Sequence, residues 1–72
     1  MDVKTFNDGT KGVVVRDVID GQARVRALSP ERLELAAQAA PGTFPTYVTL
    51  DREAAANLGE FLTAWSRGEV EP

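Results

Sequence analysis

The sequence predicts an α+β domain, an antiparallel β-meander of about four strands with one C-terminal amphipathic helix packed on one face. Three observations carry this. Tyr47-Val48-Thr49-Leu50 is a short β-branched run that leads through Asp51 directly into a segment of helical periodicity. In that segment Ala54, Ala55, Leu58, Phe61, Leu62 and Trp65 fall within one sector of a helical wheel. Upstream, two aliphatic runs flank Asp20-Gly21, the pair of residues that a tight hairpin turn favours.

Taken in order, residues 1–11 form an arm and turn. Val3 to Phe6 reads as a short strand or arm, and Asn7-Asp8-Gly9-Thr10 as a turn, because Asn, Asp and Gly tolerate positive φ. The sheet occupies residues 12–50. Its first hairpin runs from Gly12 to Ile19 and from Gln22 to Leu28, and a two-residue turn sets Ile19 opposite Gln22 and Asp17 opposite Arg24. One hairpin face then carries Val14, Arg16, Val18, Ala23, Val25 and Ala27, the expected floor for the helix. The other carries Val13, Val15, Asp17, Ile19, Gln22, Arg24, Arg26 and Leu28, more apolar than an idle solvent face requires.

Residues 29–40 admit two readings. Ser29-Pro30-Glu31 is a good helix opening, and Leu33, Ala36, Ala37 and Ala40 have helical spacing. Arg32-Leu33-Glu34-Leu35 alternates like a strand, and Ser-Pro-Glu-Arg suits a turn closing a second hairpin. A strand over residues 32–38 is favoured, since the meander then continues into Tyr47–Leu50 without an orphan edge. Residues 39–45, with Pro41, Gly42 and Pro45, form the longest loop. The helix runs over residues 52–67, capped by Asp51, with Glu53 at its positive end and Gly68 closing it; residues 69–72 are a tail.

Seventy-two residues make a single small domain, and without cysteine there is no disulfide staple, so self-association is expected at this size. No apolar run approaches the ~20 residues of a membrane span and the first residues do not open a signal peptide, which predicts a cytoplasmic protein with no membrane partner. The front half is mildly basic, with Lys11, Arg16, Arg24, Arg26 and Arg32 against Asp17, Asp20 and Glu31. The helix and tail are acidic, with Asp51, Glu53, Glu60, Glu69 and Glu71 against Arg52 and Arg67.

Chemistry is hard to build from this composition. The absence of histidine and cysteine removes the commonest general base, the commonest nucleophile and the best zinc ligands. Asp17 and Asp20 lie on opposite pleat faces, and Asp51 and Glu53 have capping roles, so no carboxylate pair is set for acid–base work. No Gly-rich phosphate loop and no calcium loop appears. The reading is a protein that is not an enzyme, with no catalytic residues, no metal site and no cofactor. Direct nucleic-acid binding is disfavoured by the acidic net charge of −3 and the lack of a basic cluster.

Thr46-Tyr47 followed by Leu50, Ala55, Leu58, Leu62 and Trp65 resembles the end of the N-terminal oligomerisation domain of the actinobacterial H-NS-like nucleoid silencers. Val13 to Gly21, with its acidic Asp-Gly turn, is similar to that family's opening strand. The match covers about half of the chain; the arm, residues 29–45 and the missing basic tail depart from it. The ending also resembles small sheet-plus-helix proteins of actinobacteria and bacteriophages. The resemblance implies an assembly or partner-binding role on a small antiparallel sheet.

The expected function is therefore a protein-interaction or oligomerisation module, a small regulator of a host or partner protein that forms a homodimer or binds another chain. Val13, Val15, Ile19, Arg24 and Arg26 are the expected partner surface, and Leu58, Phe61, Leu62 and Trp65 the helix clamp or dimer contact. The alternative is a small DNA-binding regulator using Arg24 and Arg26, or a DNA mimic using the acidic helix face around Glu53 and Glu60.

Overall fold

A computed structural model describes residues 2–16 and 19–71. It is α+β: five strands in chain order form one open antiparallel sheet, and a C-terminal helix packs against it. The strands are β1 (Lys4–Thr5), β2 (Lys11–Arg16), β3 (Gln22–Ser29), β4 (Arg32–Gln38) and β5 (Thr46–Leu50), and the helix is α1 (Arg52–Ser66). The strand beyond the expected four is the N-terminal arm, which pairs only Lys4 with Gly12 and Thr5 with Lys11.

The strand reading of residues 32–38 holds. Ser29 and Arg32 are direct partners across the turn, and the Ser29 hydroxyl accepts from the Glu31 amide at 3.2 Å, so Ser-Pro-Glu-Arg closes a hairpin instead of opening a helix. The tertiary ladder overrides the local helical propensity of Leu33 to Ala37.

The first hairpin differs from expectation. Arg16 pairs with Gln22, Val15 with Ala23, Val14 with Arg24 and Val13 with Val25. The register is shifted by three residues from the one an Asp20-Gly21 turn would impose, and Asp17, the predicted partner of Arg24, lies outside the described residues together with Val18. Gly21 does not adopt positive φ. It is buried, and a Cβ there would stand 2.6 Å from the Gln38 carbonyl oxygen and 2.8 Å from that of Ala39. Gly21 therefore serves close backbone approach to the end of β4, and the connection from Arg16 to Gln22 is longer than a two-residue turn.

The helix is built as its sequence predicts. Asp51 is extended and its carboxylate accepts from the Ala54 amide at 2.8 Å. At the other end the Gly68 amide donates to the Trp65 carbonyl and the Glu69 amide to the Ala64 carbonyl, with Gly68 at φ 74°, which is a Schellman closure. Only Asp51 separates β5 from α1.

Candidate functional site

Because partners across an antiparallel ladder share a face, the registers divide the sheet into two surfaces. One carries Val13 and Val15 of β2, Ala23, Val25 and Ala27 of β3, Leu33, Leu35 and Ala37 of β4, and Thr46, Val48 and Leu50 of β5. Apart from Lys11 and Thr46 this row is aliphatic across four strands. The other surface carries Lys4, Val14, Arg16, Gln22, Arg24, Arg26, Glu34, Ala36, Gln38, Tyr47 and Thr49, with Phe6 just beyond β1.

The polar face is the better covered. Ala36, at 4 % exposure the buried hydrophobic residue among those described, lies there between its ladder partners Arg24 and Tyr47. Long polar side chains spread their methylene stems over the small residues beneath. Arg24 sits over the Phe6 ring at 5.8 Å and Lys4 over the same ring at 5.9 Å, both within cation–π range. The Arg26 guanidinium is held on two sides, by Asp8 at 2.8 Å and by Glu34 at 2.9 Å. Gly12, the β2 partner of Arg26, lets the two backbones approach closely, since a Cβ there would run into the Val25 carbonyl. Asp8 is further fixed by the Thr10 hydroxyl and amide, which donate to it at 2.6 and 3.0 Å. Those hydrogen bonds first, and the Arg26 charge with them, hold its carboxyl below the usual aspartate range.

The aliphatic face is open. Val15 is 58 % exposed and Val48 49 %, while Val13, Val25, Leu33, Leu35 and Leu50 are half-buried. Two shallow hollows cross it, one lined by Val15, Ala23, Ala37, Thr46 and the exposed Phe44, the other by Val3, Val13, Val25, Ala27 and Leu33. The base of the helix borders the second of these: Ala55 and Ala56 line a further hollow with Ala27 and Leu33.

Beyond its base the helix leaves its apolar stripe uncovered. Leu58 is 37 % exposed, Phe61 and Leu62 more than half, and Trp65 64 %. The stripe read from the sequence is real, but it does not clamp this chain's own sheet. The helix contacts β4 and β5 near its base while the bulky residues stand in solvent. Glu53 and Glu60 are also exposed.

The expected partner surface is therefore divided. Val13 and Val15 share the aliphatic face, Arg24 and Arg26 lie on the opposite one, and Ile19 is exposed in the β2–β3 connection. The physical reason is the register: a shift by an odd number of residues exchanges the faces of one strand against the other. Leu33, Leu35 and Val48 were missed as surface residues. Their signal was present in the alternation of Leu33 and Leu35 with Glu34 and Ala36, which requires an aliphatic row beside it on β3.

Among the described residues no group of three His, Cys, Asp or Glu side chains is placed to hold a metal ion, and no helix is long and apolar enough to cross a membrane. No protein-family model, curated protein or solved structure matches this chain.

Proposed function

We propose that this chain is a non-enzymatic protein-association module, a small regulator that works by docking to a partner protein or to its own kind. The observation that carries the reading is the four-strand aliphatic face on which Val15 and Val48 are exposed and Val13, Val25, Leu33 and Leu35 only half-buried, while Ala36 is the buried hydrophobic residue among those described. Exposed apolar patches of this kind mark interaction surfaces, because covering them returns roughly 25 cal/mol per Å². The composition supports the non-enzymatic part, since no histidine or cysteine is available for nucleophilic or acid–base chemistry.

The charge placement favours a protein partner over nucleic acid. Arg26 has its charge matched by Asp8 and Glu34, Arg24 is held over Phe6, and the remaining cations are scattered on a chain of net charge −3 instead of clustered along one groove. Affinity capture with the tagged chain, run beside Val15→Glu, tests the reading. The wild type should retain its own untagged copy or another protein, and the variant should lose it. Identical capture profiles would sink the proposal, and a gel shift at moderate salt would move the reading to the arginine face.

A further inference from the structure

The open sheet face and the exposed helix stripe are complementary, yet within one chain they do not meet. A compact monomer of 7.8 kDa exposes about 4,400 Å². This chain exposes 5908 Å², an excess of about 1,500 Å² over that expectation. Its radius of gyration, 13.2 Å, likewise exceeds the roughly 11 Å of a compact chain of this length. Two chains each covering their excess would bury about 3,000 Å² in total, within the range of obligate dimers.

We propose that the protein is a homodimer in which two copies exchange helices, the Leu58, Phe61, Leu62 and Trp65 stripe of each lying across the aliphatic face around Val15 and Val48 of the other. The proposal rests on the association reading and names its partner. A second copy fits because each chain carries one stripe and one face, so a two-fold pairing covers both and closes without leaving a surplus surface. The helix placement supplies the reason for exchange. Asp51 alone joins β5 to α1, and α1 meets β4 and β5 at its base while Phe61, Leu62 and Trp65 farther along stay exposed, so the stripe is presented to a second chain.

The test uses the full chain and its single tryptophan. Sedimentation at micromolar concentration should give twice the 7.8 kDa chain mass, and dilution to the single chain should shift Trp65 emission to the red. Val48→Glu and Leu62→Lys, both at exposed positions, should each sediment as single chains with wild-type far-UV circular dichroism. Mixing the two variants should restore the two-chain mass, since the mixed dimer has one intact helix-on-sheet contact and one contact of opposite charges. A wild type that remains a single chain overturns the dimer, while capture of another protein through Val15 still upholds the association reading. If Val48→Glu dissociates but Leu62→Lys stays dimeric with unchanged emission, the sheets pair face to face and helix exchange falls. Failure of the mixture to recombine also overturns exchange, and indifference to both variants removes the face and the stripe together.

Discussion

Val25 and Leu35 are direct cross-strand partners at the centre of the sheet, and neither is fully buried. A pair so placed in a covered sheet would be core. Leu35→Ala should therefore cost about 1 kcal/mol in dilute protein, where only part of the side chain leaves water. At concentrations where the face is covered it should cost about 2–5 kcal/mol, as for a buried leucine. Urea melts at two protein concentrations check this; a penalty independent of concentration would mean the face stays open.

Two glycines separate close approach from mere permissiveness. Gly21→Ala places a methyl against the Gln38 and Ala39 carbonyls and should destabilise by about 1–3 kcal/mol. Gly59→Ala adds a methyl in open space inside α1 and should stabilise by about 1 kcal/mol, since glycine is the poorer helix former. Thermal melts of both variants should move in opposite directions.

Asp51 is the one residue between the last strand and the helix. Asp51→Ala leaves a first-turn amide without its acceptor and should cost about 1 kcal/mol. Asp51→Asn, which keeps an acceptor oxygen, should recover most of that loss. Helical ellipticity on heating distinguishes the two.

Asp8 predicts an acid-side stability loss with a definite sign. Its carboxyl is held below the ordinary range by Thr10 and Arg26, so the folded state favours the charged form. That contribution is complete above the unfolded value of about 3.9 and disappears as pH falls through the folded value. Asp8→Asn should flatten this part of the stability profile below about pH 4 and leave the slope near neutrality unchanged. Urea midpoints measured across pH provide the comparison.

Most of the architecture was legible because the signals were local and mutually consistent. Asp51, the Leu58-to-Trp65 stripe and Gly68 mark the two ends and one side of α1, and each end appears in its expected role. The alternation around Leu33 and Leu35 gave β4 against a competing helix opening at Ser29-Pro30. The hairpin register was not legible from its turn. Asp20-Gly21 has the composition of a tight reversal, but the aliphatic rows on β2, β3 and β4 align only when Val13 meets Val25 and Val25 meets Leu35. Register is decided by the whole buried or coverable face, and that information is spread over strands distant in sequence. The same error dispersed the predicted surface, since Arg24 and Arg26 moved to the face opposite Val13 and Val15. The helix stripe was read correctly as apolar, while the exposure of Phe61, Leu62 and Trp65 depends on how α1 is placed on the sheet, which periodicity does not encode.

The clasp on Arg26 sets the mechanical character of the N-terminal third. Through Asp8 on one side and Glu34 on the other, a single guanidinium ties the turn after β1 to β4 across β3, at right angles to the strands. β1 itself is held by only two ladder partners. Beyond the two ladder pairs of β1, stripping the chain from its first residues has to pull an ion pair apart as well as open a strand. The sheet is braced against shear at that point, and residues ahead of it can detach without loosening β2, β3 or β4.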